Sequence, residues 1–403
     1  MARILYTWEI GAGYGHFARF LPLALKLRER GHEVLFALRD VTEADAFLAQ
    51  RGFAVFQAPV WLHHVDGLRE PSLSYAEMLF RLGYLSKPGL TGLARAWREL
   101  FALTKADMVV ADHSPTALLA AKGTQVHRVM LGTGFFSPPR VTPMPGMRPW
   151  SEVPKLQLME SEREALQTVN YVLGRLGARP LGALMELFTV DEDFLCTVPE
   201  LDHYHGRINT RYWGPLMSLH EGEALAWRDV GDVKRIFAYL RPHRDTETLL
   251  QTLKTLDCEA LVFALGMPAA SVERFETDKI RITTQPLKMS LIIERCDLCV
   301  CHAGHGTIAA MLLAGVPQLL IPIQLEQYVM ARHVTAYGAG LFVDPQKPQP
   351  DYASLLHELL SNPIYRSRAR KFAETYAAFN QTQQIVAMAA RIEEILKNPL
   401  KGC

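Results

Sequence analysis

Residues able to do chemistry gather at a few points along this 403-residue chain. The densest is His302-Ala303-Gly304-His305-Gly306-Thr307. A small-residue turn that opens a helix presents backbone N–H groups and a positive helix end, a combination that suits phosphate. His302 at the entrance can donate a hydrogen bond to a diphosphate oxygen. Glu326-Gln327, an acid followed by an amide, can accept from and donate to several sugar hydroxyls. Near the start, Gly11-Ala12-Gly13-Tyr14-Gly15-His16 sets an imidazole at the end of a second glycine-rich turn. Arg241-Pro242-His243-Arg244 carries local charge that could meet phosphate, or a negatively charged sugar or acceptor. The glycine spacing at 302–307 is not the dinucleotide fingerprint, and the loop has no P-loop lysine.

The elements that must carry these residues are legible. Leu298 to Cys301 reads as a buried strand, and the pattern after Thr307 is helical until Gly315 with Pro317 just beyond. Gln318 to Pro322 is a second apolar strand. Strand, glycine turn, helix, strand also opens the chain: Ile4 to Thr7, the turn at 11–16, Phe17 to Arg30 closed by Gly31, and Glu33 to Leu38. Further strands are expected at Ile236 to Leu240, Ala260 to Ala264 and Ile280 to Thr283. An open parallel α/β sheet in each half follows, and such sheets bind ligands beyond the carboxyl ends of their strands. His16 is therefore aimed at a cleft. Asp107 to Asp112 reads as an apolar strand with an acid at its end.

Composition bounds the rest. The length exceeds the roughly 250–300 residues at which single cores stop growing, so two domains are expected. Hydrophobic residues at 49% and charged residues at 21% are those of an ordinary globular protein, and a net charge of +1 argues against a nucleic-acid binder. Six cysteines make no disulfide framework and fit a reducing cytosol. No signal peptide and no apolar run of about 18 residues is visible, so a cytoplasmic protein is expected.

Taken together, His302, Gly304, Gly306, Thr307, Gly315-Val316-Pro317, Pro322, Glu326-Gln327 and Gly338-Ala339-Gly340 resemble the signature of the nucleotide-sugar-dependent family-1 glycosyltransferases. That resemblance implies the GT-B architecture, two Rossmann-like domains facing across a cleft. It implies an N-terminal acceptor domain at 1–215, a linker at 216–232, a nucleotide-sugar domain at 233–375, and a last helix at 376–403 crossing back. Thr197 to Asp202 resembles the final N-domain strand, and Gly214-Pro215 the opening of the linker. The resemblance makes His16 the general base of an inverting transfer, oriented by Asp112, with the neighbouring His113 a weaker alternative partner. Gly15, Arg241, Pro286, Leu287, His302, Gly304, His305, Gly306, Thr307, Glu326 and Gln327 form the expected donor site. Within it, backbone at Pro286 and Leu287 clamps the base, His302 meets the α-phosphate, and Gly306 and Thr307 meet the β-phosphate. His305 either adds a diphosphate contact or points outward. The donor is a UDP- or dTDP-sugar, with uridine the family default, and no cofactor or metal is expected. The family's proline three positions after the base is replaced here by Arg19, which could reach an anionic donor or acceptor.

Bland readings stand beside these. His16 could be a structural histidine of its turn. The aromatic stretch 60–105 (Trp61, Tyr75, Leu79, Tyr84 and Trp97 among others) shapes an acceptor pocket in the family, implying a partly apolar acceptor, yet helices packing their own core explain it as well. It lacks the basic face of a membrane-docking helix. The proline-rich stretch 137–151 reads as a loop. Cys296-x-x-Cys299-x-Cys301-His302 looks like a metal clip in isolation, but without a second Cys/His pair, and on a buried strand, cysteine acts as a small hydrophobe. A nucleotide-sugar epimerase or hydrolase, or a silent auxiliary partner, are the alternatives to a transferase. Transfer is favoured, because neither His16 nor Glu326 is lost.

Overall fold

The alternation of short apolar runs and amphipathic helices is realised twice. A computed structural model describes residues 1–11, 15–42, 44–204, 206–219, 222–229, 231–344 and 350–399, with Asp45 and Ala46 as backbone alone. Ala12, Gly13 and Tyr14 of the first glycine turn lie outside the described residues. The chain divides into two compact units, one of residues 1–214 with 380–403, the other of residues 215–379.

In the first unit, β1 (Arg3–Trp8), β2 (Glu33–Leu38), β3 (Ala54–Gln57), β4 (Met108–Asp112), β5 (His127–Gly132) and β6 (Glu192–Leu195) form one parallel sheet in the order β3-β2-β1-β4-β5-β6. Beyond half-buried Arg3 its central strands β1 and β4 are buried, so they read as largely apolar runs rather than alternating ones. Register sets Trp8 beside both Leu38 and Asp112, which brings the carboxyl ends of β1 and β4 level. α1 (Gly15–Glu29) and α2 (Ala44–Ala49) are crossovers, and α1 buries Phe17, Phe20, Leu23 and Leu27.

α3 (Tyr75–Leu79) is capped reciprocally: Ser74 Oγ accepts from Glu77 N–H at 3.2 Å, and the Glu77 carboxylate accepts from Leu73 N–H at 2.8 Å. A wide turn at Phe80–Tyr84 follows, broken at Gly83, where a Cβ would sit 2.5 Å from the Trp61 ring. α4 (Lys87–Thr104), α5 (Pro115–Ala121) and α6 (Lys155–Arg175) complete this side. Tyr75, Leu79, Tyr84 and Trp97 are all fully buried in one hydrophobic cluster. These four side chains pack the unit's own core. Residues 137–151 hold no helix or strand.

The expected final strand at Thr197 to Asp202 is not there. β6 ends at Leu195, and the later stretch holds a single 3-10 turn, Pro199–Leu201. Pro199 has no N–H to donate to a ladder, so pairing stops before it.

The second unit repeats the plan. β7 (Lys234–Leu240), β8 (Cys258–Ala264), β9 (Ile280–Thr283), β10 (Leu298–Cys301), β11 (Gln318–Leu320) and β12 (Gly340–Phe342) are parallel in the order β12-β11-β10-β7-β8-β9. Cys301 pairs in register with both Tyr239 and Leu320, which levels the ends of β7, β10 and β11. Between the strands run α7 (Thr246–Thr255), α8 (Ala269–Phe275), α9 (Met289–Ile293), α10 (His305–Leu313) and α11 (Leu325–Tyr337), and α12 (Tyr352–Ser361) and α13 (Pro363–Thr375) follow. α14 (Gln381–Lys397) belongs to the first unit, where Glu393 takes Arg30 at 2.8 Å and His32 at 3.3 Å from the end of α1. Among the described residues no helix is long and apolar enough to cross a membrane.

Candidate active site

The first unit's chemistry sits where β1 and β4 end. His16 is the second residue of α1 and 9% exposed. Its Nδ1 stands 3.2 Å from Asp112 Oδ2, but without hydrogen-bond geometry, so the approach is electrostatic and the N–H aims off the oxygen. Tyr6 donates its hydroxyl to the same oxygen at 2.8 Å, and Arg19 Nη1 lies 3.9 Å away. Three groups thus converge on one carboxylate atom. Burial alone would raise Asp112, but His16, Arg19 and the Tyr6 hydroxyl outweigh it and hold the carboxyl below its usual range. Burial and the Asp112 charge push Tyr6 well up, which keeps it a neutral donor.

The ring of His16 is fixed from two further sides. Trp8 stacks on it with centroids 4.8 Å apart and planes 18° from parallel. Gly11, at φ +103, leaves the space that a Cβ would occupy 2.5 Å from His16 Nε2. Any other residue there would strain the backbone and collide with the imidazole. Trp8 Nε1 donates to Ile10 O at 2.7 Å, and His113 Nδ1 bonds the same carbonyl at 3.1 Å. His113 sits at φ +47, a conformation uncommon for a non-glycine residue and found mostly at functional turns. It makes no hydrogen bond to His16 among the described residues: its Nδ1 bonds Ile10, and its Nε2 has no partner there.

Sequence reasoning missed Glu9. Its carboxylate accepts from Ser114 Oγ at 3.0 Å, Thr116 N–H at 3.1 Å and Ala117 N–H at 2.6 Å, pinning the first turn of α5 to the end of β1. Burial pushes it up to about 7 against those donors. A glutamate just past an apolar strand was the available signal.

The second unit's chemistry sits beyond β7, β10 and β11. α10 starts at Gly304 with no side-chain cap and no acid in its first turn, leaving the N–H groups of His305, Gly306 and Thr307 outside the helix ladder. Ala303 precedes them at φ +58. Gly304 is exposed, Gly306 and Thr307 half-buried. His305 is 5% exposed, which excludes the outward-pointing reading.

His302 departs from its expected role. Its Nδ1 bonds Ile321 O at 2.8 Å and its Nε2 accepts from Arg241 N–H at 2.9 Å. With Nδ1–H given to a carbonyl and Nε2 filled by an amide, the ring has no N–H left for a phosphate. Burial lowers its proton affinity, and His243 and Arg241 add to that. The ring instead ties the ends of β7 and β11 to β10. Arg241 O in turn accepts from Thr246 Oγ1 at 3.1 Å, so the 241–246 loop is closed on itself. The Arg241 guanidinium is half-buried and carries no hydrogen bond among the described residues.

The remaining donor-site residues are partly committed. Pro286 O accepts from Glu223 N–H at 2.7 Å, next to Gly222 at φ +111, and Leu287 is buried. Gln327 Oε1 accepts from Ile323 N–H at 2.9 Å, which leaves its amide donors for a ligand. Glu326 is half-buried in the first turn of α11. The cysteines are all buried where described, with Cys296 pushed up to about 12 by burial. No group of three or more His, Cys, Asp or Glu side chains fit to hold a metal occurs among the described residues.

Comparison with known proteins fits this geometry. Residues 247–392 match the family model described as erythromycin biosynthesis protein CIII-like, C-terminal domain. Over 157 residues, 38% of this chain, it is 27% identical to an erythronolide mycarosyltransferase of Saccharopolyspora erythraea. Over 286 residues, 67% of this chain, it is 24% identical to a PGL/p-HBAD biosynthesis rhamnosyltransferase of Mycobacterium bovis. The chain spans 36% of the first relative's length and 64% of the second's. The glycosyltransferase of kitacinnamycin superposes over 98% of this chain and 99% of its own, with a TM-score of 0.70 at 17% identity. The spinosyn rhamnosyltransferase SpnG, complexed with thymidine diphosphate, covers 97% of this chain and 100% of its own with a TM-score of 0.64 at 17% identity. Residues 247–392 therefore resemble the C-terminal domain of that family, and the chain as a whole has the fold of the GT-B glycosyltransferases.

Proposed function

We propose that the protein is an inverting glycosyltransferase that moves a sugar from a nucleoside-diphosphate donor to a hydroxyl of a partly apolar acceptor. The observation that carries this reading is the approach of His16 to Asp112 at the end of the first sheet, with Nε2 left on the far side of the ring beside Gly11. Nε2 takes the acceptor's proton, and the freed oxygen attacks the anomeric carbon. The bond from that carbon to the diphosphate oxygen breaks, and the nucleoside diphosphate leaves. One displacement inverts the configuration. Asp112, held ionised, stabilises the imidazolium that forms.

In the second unit, the uncapped N-terminus of α10 takes up charge on the leaving diphosphate. His302 holds the loop rather than the phosphate, and the Arg241 guanidinium is the side-chain cation for the anion. Glu326 and the Gln327 amide hold sugar hydroxyls. This machinery uses protein dipoles where other enzymes use a metal. The thymidine diphosphate in the SpnG complex favours a dTDP-sugar over a UDP-sugar. The spinosyn aglycone held by the same protein supports an aglycone as the acceptor.

The test is ligand-induced thermal stabilisation with dTDP, UDP and GDP. A shift of several degrees with dTDP, smaller with UDP and absent with GDP, is expected. No shift with any of the three would overturn the donor site.

A further inference from the structure

His113 has a tautomer that the fold dictates. Its Nδ1 faces Ile10 O at 3.1 Å, and a carbonyl can only accept, so Nδ1 carries the proton and Nε2 is bare. Burial, with the charges of His16 and Arg39, pushes the ring well below the usual imidazole range, opposed by the Ile10 bond; the ring is neutral. Nε2 is buried and has no hydrogen-bond partner among the described residues. A buried acceptor left unpaired is costly, and such groups in native proteins call for an explanation. The left-handed backbone of His113 adds a second cost at the same residue. Both fall immediately after Asp112, next to the group read above as the base.

Two aromatic rings lie near the imidazole. Phe136, half-buried, stacks face to face on the ring, and Tyr75 lies 6.4 Å away between centroids with its hydroxyl also unpartnered among the described residues. The ring of His113 thus has an aromatic face against it and an unpaired acceptor on its edge.

We propose that His113 is a specificity-determining residue: Nε2 accepts a hydrogen bond from a second hydroxyl or N–H of the acceptor, neighbouring the hydroxyl that gives its proton to His16. The acceptor class is then a planar, aromatic-type molecule with two adjacent hydrogen-bond donors. This rests on the transferase reading of the first unit.

Two substitutions separate the halves of the ring. In His113→Asn the amide nitrogen occupies the place of Nδ1 and keeps the bond to Ile10, while Nε2 is lost; asparagine also tolerates the left-handed backbone. In His113→Gln the amide reaches the place of Nε2. Binding of 2,3-dihydroxynaphthalene and of its mono-methyl ether is measured by calorimetry on the full chain. Wild type should bind the diol roughly tenfold tighter, His113→Asn should bind both alike, and His113→Gln should recover part of the preference. Equal binding of the two by wild type, binding of neither, or a preference that survives in His113→Asn overturns the proposal. His16→Asn keeps the diol preference and loses turnover with a dTDP-sugar; full turnover in that variant would sink the base assignment while leaving the His113 result standing.

Discussion

Two histidines stand at the ends of two similar parallel sheets and are held in opposite ways. His16 is held by side chains: an ionised Asp112 at 3.2 Å, a stacked indole, and the space left by Gly11. His302 is held by main chain, with Ile321 O on one nitrogen and Arg241 N–H on the other. A ring whose neighbours are side chains can change its proton without unfastening the backbone. A ring whose nitrogens close the sheet edge cannot. The same residue type, proposed as a chemical group in one unit, is a fastener in the other.

The sharpest way to break this contrast is His16→Ala. Turnover should fall by roughly 10²- to 10⁴-fold, the range for loss of a general base, while the dTDP-induced thermal shift stays at its wild-type value. Initial rates beside melting curves check it, and a fully active variant would abolish the distinction.

Next in size is the response to pH, which the two edges show with opposite sign. Glu9, packed against the first site, keeps its proton up to about 7 when folded but only to 4.5 when unfolded. The folded chain then holds more protons in that window, so this group's contribution to stability falls as pH rises through it and is level above it. The span corresponds to about 3 kcal/mol at about 1.36 kcal/mol per pH unit. His302 is the mirror case. Its folded affinity for a proton is depressed, so the unfolded ring protonates first and stability drops as pH falls below 6.5. Urea midpoints across pH should show the Glu9 slope vanish in Glu9→Gln. A slope unchanged in that variant would remove Glu9 from the account.

The smallest effect is that of His302→Ala, which unties two main-chain bonds. The second unit should lose about 2 kcal/mol, at roughly 1 kcal/mol per hydrogen bond, and the dTDP shift should shrink together with the urea midpoint. A variant that loses nucleotide binding at unchanged stability would instead return His302 to direct phosphate contact.

How much of this was legible beforehand depends on the range of the interaction. β10 was read with its observed ends and α10 to within a few residues, because apolar runs and glycine punctuation are local signals. β2 and β9 likewise begin and end where their patterns do. β6 was misplaced because its four residues, Glu192-Asp193-Phe194-Leu195, open on two acids and show no apolar run. The main-chain bonds of His302 were hidden for a different reason. Its partners lie at the ends of β7 and β11, 61 and 19 residues away, and only strand register brings them within bonding distance. The positive φ of Ala303 has no local sequence signal either, since alanine does not favour it.

The stacking of Trp8 on His16 has an optical consequence. An indole in van der Waals contact with an imidazole loses emission when that imidazole gains a proton, and its π face favours the charged ring. Of the six tryptophans in the chain, this one has its ring plane on the proposed base. The protein therefore carries its own fluorophore at the point of proton transfer. The emission lost in Trp8→Phe, followed against pH or during turnover, would report the charge on His16 without a label.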